Sequence, residues 1–100
     1  MDSRDNVSKA LVLLAEKKLT RRQKLVLIRV YELGGYRSMT GLAERLSREL
    51  KMPISTAKWC LRELRDMMLL KGGSAEEKGV KCMLTPAGLL VAKHLKKRIF

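Results

Sequence analysis

Two amphipathic stretches, 38–51 and 53–70, follow one another with only Met52 between them, and no other feature constrains the chain as much. A helix with one apolar stripe needs a partner to cover it, and so short a connection forces the two stretches to pack as neighbours. In the first, Ser38 is a good N-cap for a helix reaching about Lys51, with Met39, Leu42, Ala43, Leu46 and Leu50 as its buried stripe. Glu44, Arg45, Arg48 and Glu49 face out, and the small Ala43 lets another helix approach closely. In the second, Pro53 suits the first helical turn, where its missing N–H would go unbonded anyway. Ala57, Leu61, Leu64 and Met68 fall on one line, with Ile54, Cys60 and Met67 beside it. Opposite lie Ser55, Trp59, Arg62 and Asp66, and Lys58, Arg62 and Arg65 gather along one edge of that outward side. The pair predicts a helix-turn-helix over 38–70.

The flanking segments are equally well punctuated. Val7, Leu11 and Leu14 line one face of a first helix over about 5–18, flanked by Ala10 and Ala15, while Val12 and Leu13 point elsewhere. Two readings stand for that helix: ordinary core packing, or a surface shared with a second chain. Thr20-Arg21-Arg22-Gln23 is a capping box, in which Thr20 and Gln23 each bond the other's backbone N–H. It opens a helix through Leu33 that is apolar nearly all round and so predicted to be central, stopped by Gly34-Gly35. The run 71–79 is polar and glycine-bounded, and therefore a loop. Val80, Cys82 and Leu84 alternate as a half-buried strand does, pairing with 69–71 as a hairpin over 69–85. Thr85-Pro86 starts a last helix over 86–98, with Ala87, Val91 and Leu95 inward, Leu89 and Leu90 off that line, and a basic end at Lys93, Lys96, Lys97 and Arg98. No repeat, low-complexity tract or linker divides residues 1–100, so the chain reads as one domain that is mostly α with a small β-hairpin.

The charge balance narrows the class of partner. Lys and Arg number 22 against 10 Asp and Glu, a formal charge of +12. The excess is spread through the folded body, with eight basic against three acidic residues in 20–52 and seven against two in 71–100. An unbalanced charge of this size repels itself in a small domain, and a polyanionic partner explains it best. Hydrophobic residues at 46% argue for a folded chain. No apolar run approaches the roughly 18 residues needed to cross a bilayer, and Asp2 and Asp5 are foreign to a signal peptide. A cytoplasmic, nucleoid-associated location is expected. Asn6 and Gln23 are the sole amides, which leans towards a thermophilic source, although six Met and two Cys pull the other way.

The order of elements, three helices, a hairpin and a helix, resembles that of winged helix-turn-helix DNA-binding proteins, the MarR-like and archaeal-type transcription regulators. Leu42-Ala43-Glu44-Arg45-Leu46 looks like the first helix of their motif, and 54–64 resembles their recognition helix. Leu84-Thr85-Pro86-Ala87-Gly88 resembles the strand-to-helix junction after their wing. The likeness covers about residues 20–98. It departs at Ser47-Arg48-Glu49-Leu50, which looks like an added turn of helix and, at four residues, keeps the buried face in phase. The resemblance implies that Ile54, Ser55, Lys58, Trp59 and Arg62 enter a major groove, and that the loop from Lys71 to Lys81 is the wing.

Weighed singly, the residues point the same way. Lys58 and Arg62 are like charges one turn apart, a small cost that a solvated face tolerates and that a phosphate or guanine would reverse. Arg65 sits nearer the buried edge, where it either joins them or braces the core. An outward indole at Trp59 suits thymine methyls, sugars or a partner protein, unless it folds back over Glu63 and Thr56. Arg21 and Arg22 sit unfavourably at a helix start, which suggests a phosphate nearby. Lys71, Lys78 and Lys81 suit backbone contacts. Cys60 and Cys82 read as small core hydrophobes, with a redox switch between them as the sharper alternative, and His94 as neither a metal ligand nor a proton switch. No catalytic constellation or glycine-rich phosphate loop is present, so an enzyme, a cofactor and a metal are not expected. The expectation is a dimeric, sequence-specific double-stranded DNA-binding transcription regulator. Its dimer interface is expected at Val7, Leu11, Val12, Leu13, Leu14, Leu89 and Leu90. The alternatives are a winged-helix interaction module of a replication or transcription assembly, or a non-specific nucleic-acid binder. No small-molecule effector is indicated.

Overall fold

The computed structural model describes residues 3–72 and 81–99, with side chains described for 6–72 and 81–98. The chain runs α1 (Ser3–Lys18), α2 (Arg21–Leu33), α3 (Met39–Leu50), α4 (Ile54–Asp66), β1 (Leu70–Lys71), β2 (Met83–Leu84) and α5 (Pro86–Ile99). This is the mostly helical fold with a small two-stranded hairpin that the punctuation predicted. α2 lies at the centre, against α4 on one side and α5 on the other, and α3 packs on α4.

Local signals set most of the boundaries. The capping box at α2 forms in full: Thr20 N–H donates to Gln23 Oε1 at 2.9 Å, and Gln23 N–H donates to Thr20 Oγ1 at 3.2 Å. Val26, Leu27, Ile28 and Val30 are buried, as a helix apolar nearly all round must be. Gly34, at φ 75°, ends the helix in the left-handed region. The Ser38 hydroxyl caps α3 by accepting from Gly41 N–H at 3.1 Å. Leu42, Ala43 and Leu46 then fill its buried stripe. Met52 is pinned at the turn into α4 by two bonds to Ser47, its N–H donating to the Ser47 carbonyl and its own carbonyl accepting from Ser47 Oγ. The added turn therefore lengthens α3 without loosening the junction.

Three expectations are corrected. α4 stops at Asp66 rather than running to 70, and Met67 and Met68, placed on its buried side, are exposed. Another turn of helix would have carried Leu69 and Leu70 to the outward face. Instead Met68 takes a left-handed conformation at φ 64°, and Leu69 N–H reaches back to the Leu64 carbonyl at 2.9 Å. That turn buries both leucines. The non-glycine left-handed residue costs roughly 1–2 kcal/mol, against roughly 1.5–3 kcal/mol for each leucine buried, so burial wins. In α1, the buried line is Val12 and Ala15, continuing into Leu19 beyond the helix, whereas Val7 and Leu14 are exposed and Leu11 is half-buried. Including Leu19, bonded back to the Ala15 carbonyl, rotates the best-covered face away from the one expected. The third correction is an extra partner for the hairpin: Tyr36 and Cys82 exchange both backbone bonds at 2.8 Å, forming a bridge beside β1 and β2.

Candidate nucleic-acid interface

α4 is fixed from behind. Ala57, Cys60, Leu61 and Leu64 are buried, and α3, against which the helix packs, contributes the buried Leu42, Ala43 and Leu46. The outward face is open as a consequence. Ile54, Ser55, Lys58, Trp59 and Arg62 are all exposed, Trp59 to 59%. The indole is therefore not part of the core. Arg65 is half-buried and borders a shallow groove of about 230 Å³ together with Met39 and Thr40 of α3 and Lys58 and Arg62 of α4.

The cations divide into two sets by their partners. Glu49 accepts from Arg29 of α2 and from Arg45 within α3, at 3.1 Å and 2.8 Å. These bonds hold its carboxyl well below the usual range, at about 2, and raise both guanidinium values. Arg45 also lies over the Tyr36 ring. Glu32 pairs with Arg29 and Lys96, and Glu16 of α1 with Arg98 and His94 of α5. His94 thus has a partner, Glu16, that the sequence did not reveal. By contrast, no ion pair engages Arg21, Arg22, Lys58, Arg62, Arg65, Lys71 or Lys81 among the described residues.

Arg21 and Arg22 are exposed at the start of α2, which packs against one flank of α4. Burial pushes the Cys60 thiol up, the Glu63 charge adds to this, and the Arg22 charge opposes both, which puts Arg22 within electrostatic reach of that flank. The wing arms are set by the register Leu70↔Leu84 and Lys71↔Met83, which buries the leucines and turns Lys71 outward. Lys81 is exposed on the second arm. At Gly72, φ 94°, a Cβ would stand 2.4 Å from the Lys81 carbonyl, so glycine is required where the arms converge. Lys78 and Val80 lie outside the described residues.

Two polar residues join this surface without having been singled out in the sequence. Thr40 borders the α3–α4 groove. Arg37 borders another groove with Tyr36 and Lys81, placed there by the Tyr36–Cys82 bridge. A capped helix start at Ser38 was visible, but which wall it faced was not.

Of the residues assigned to a dimer interface, Val7, Leu13, Leu14, Leu89 and Leu90 are exposed and Leu11 is half-buried. Val12 is buried in its own protomer. Leu13 and Leu90 are exposed and flank a groove of about 530 Å³ between α1 and α5, whose rim carries Lys9, Lys93 and Lys97. By helical spacing, Val7 and Leu14 occupy the other flank of α1, and Leu89 the other flank of α5. Among the described residues no group of three or more His, Cys, Asp or Glu could hold a metal ion. No helix there is long and apolar enough to cross a membrane.

No protein-family model matches the chain, and no curated protein matches it. Solved structures do. The chain is similar to the transcriptional regulator SlyA, with TM-score 0.65 and 23% identity over 97% of this chain and 70% of that one. It is similar to a mutant of ZitR from Lactococcus lactis in apo form, with TM-score 0.63 and 19% identity over 99% and 74%. It is also similar to MepR, a transcription regulator of the Staphylococcus aureus multidrug efflux pump MepA, with TM-score 0.62 and 16% identity over 95% and 69%. At these identities the likeness establishes the fold, a winged helix-turn-helix in which α3 and α4 form the motif and the β1–β2 arms the wing.

Proposed function

We propose that this chain is a double-stranded DNA-binding transcription regulator that acts as a dimer and reads a preferred sequence through α4. One observation carries the reading: the outward face of α4 presents Ile54, Ser55, Lys58, Trp59 and Arg62 to solvent, with its cations free of ion pairs among the described residues. Serine and arginine can bond base edges, and an open indole supplies apolar contact to thymine methyls or sugars. Lys71 and Lys81 on the wing arms, with Arg21 and Arg22 at the start of α2, supply sequence-independent contacts to phosphates. Similarity to solved transcription regulators supports the same reading. The chain acts by binding rather than by catalysis, in the cytoplasm at the nucleoid.

Dimerisation rests on the apolar residues left exposed on α1 and α5, with Leu13 and Leu90 at the intervening groove. Two such protomers related by a two-fold axis would set their α4 helices about one turn of DNA apart and favour a near-palindromic site. The test is a gel shift with duplexes selected from a random pool, run across salt concentrations with competitor, beside sedimentation of the free protein. Retention of the selected duplex in excess random DNA, together with a dimeric mass, is the expected result. Equal loss to any competitor would indicate non-specific packing, and absence of binding would indicate a protein-docking module.

A further inference from the structure

The α3–α4 groove brings together three cations and one hydroxyl: Lys58, Arg62, Arg65 and Thr40. Lys58, Arg62 and Arg65 stand on one edge of α4, where like charges a turn apart repel. No acid is paired with any of them among the described residues. Of the acids on the same helix, Asp66 stands one turn beyond Arg62 and Glu63 one turn beyond Trp59, and neither is paired with a groove cation among the described residues. A volume of about 230 Å³ is below the roughly 300–1,000 Å³ of sites for drug-sized ligands. The groove suits a compact, strongly solvated anion, and its lining matches a phosphodiester: guanidinium, ammonium and hydroxyl donors with Met39 as the one apolar wall.

We propose that this groove seats a backbone phosphate of the duplex, with Thr40, Arg62 and Arg65 as its ligands and Lys58 as a neighbouring charge. Base reading then falls to Ser55 and Trp59, neither of which lines the groove. The assignment rests on the duplex reading above and divides that surface into an edge that positions and a centre that specifies. It takes Arg65, which lines the groove beside its charged neighbours, as one of the binding cations rather than a brace for the core.

The experiment compares wild type with Arg65→Gln, Thr40→Val and Ser55→Ala, measuring affinity for a selected and a random duplex over a range of salt. Removing one phosphate contact should lower the magnitude of the log–log salt slope by about 0.9. Arg65→Gln is expected to show that change and to weaken both duplexes by the same factor, leaving their ratio intact. Thr40→Val should weaken both duplexes equally as well, with a smaller change in slope. Ser55→Ala should compress the ratio and leave the slope alone. A scan of neutral methylphosphonates along the selected duplex adds a second readout: one position that weakens wild type should cease to matter in Arg65→Gln. The inference is overturned if Arg65→Gln compresses the ratio at unchanged slope, or if it binds as wild type does and every methylphosphonate position keeps its effect. If wild type itself shows no salt-dependent binding to either duplex, the regulator reading falls first and this assignment with it. Circular dichroism melts of each variant identify one that fails to fold, in which case Arg62→Gln replaces Arg65→Gln.

Discussion

Replacing Gly88 by alanine tests how α5 is seated on the wing. In an ordinary helix the change gains roughly 0.5–1 kcal/mol, because glycine is the poorer helix former. At Gly88 the added Cβ would stand 2.0 Å from the Leu69 carbonyl oxygen, 3.0 Å from its carbon and 3.2 Å from Leu84 Cβ. The first two are backbone atoms, so no side-chain rotation relieves them. That same carbonyl accepts the Thr85 N–H at 3.1 Å, while Thr85 Oγ1 donates to the Met68 carbonyl at 2.7 Å and accepts from Gly88 N–H at 3.1 Å. Moving α5 away therefore strains the whole junction. Overpacking of this kind costs roughly 1–3 kcal/mol, and a lost backbone bond adds about 0.5–1.5. After the helix gain is subtracted, Gly88→Ala should destabilise by about 0.5–4 kcal/mol. At roughly 4–8 °C per kcal/mol for a domain of this size, the melting temperature should fall by at least about 2 °C. The control is Gly41→Ala in α3, where the atoms nearest the new methyl are Ser38 Oγ at 3.0 Å and the Tyr36 ring at 3.0 and 3.6 Å, side-chain rather than backbone atoms. Thermal and urea unfolding followed by circular dichroism measure both. If Gly88→Ala melts at or above wild type, the close approach described at Leu69 is wrong.

Two further outcomes follow from the same structure. Trp59→Ala should leave the melting temperature within about 1–2 °C of wild type, as exposed substitutions usually do, and weaken duplex binding. A large loss of stability with intact binding would show the ring to be part of the core. Glu49→Gln should lower stability at neutral pH, because the carboxylate ties Arg29 to Arg45. Its folded value near 2 lies below the roughly 4.3 of an unfolded glutamate, so the stabilisation is complete above about pH 4.3 and is lost as the pH falls towards 2. The two melting curves should accordingly converge over that window, and because the group is exposed, added salt should shrink the gap at every pH. A constant gap from pH 6 to pH 2 would refute the linkage.

What could be read from the sequence was what depends on near neighbours in the chain. The Thr20–Gln23 box, the Ser38 cap and the left-handed Gly34 each need only a few adjacent residues, and each lies where the sequence put it. The end of α4 was not legible, because the apolar period continues through Met68 and nothing local marks a stop. The stop comes from the core, which has room for Leu69 and Leu70 only if the helix breaks. The facing of α1 was misread for a similar reason: Leu19 lies beyond the helix yet decides which side is covered. The Tyr36–Cys82 bridge joins residues from opposite sides of the helix-turn-helix, a separation that periodicity does not span. At the candidate site, the exposed face of α4 was visible as the complement of its apolar stripe. That Thr40 shares a groove with Arg65 was not, since it depends on how α3 and α4 cross.

The same geometry explains how so basic a chain can fold without screening its own interface. Each of Glu16, Glu32 and Glu49 joins cations across helices: α1 to α5, α2 to α5, and α2 to α3. Had those acids been placed along α4, they would have lowered the repulsion among Lys58, Arg62 and Arg65 and removed the potential available to an anion. Placed elsewhere, they join the helices around α4, while Glu63 and Asp66 of α4 itself make no ion pair among the described residues and leave Lys58, Arg62 and Arg65 repelling one another. In an exposed setting, that repulsion costs only a few tenths of a kcal/mol per pair. A phosphate at the groove would convert it into attraction. The three cations gathered at the α3–α4 groove are therefore a stronger indicator of where a polyanion binds than the total of +12, which would be the same for any arrangement of these side chains.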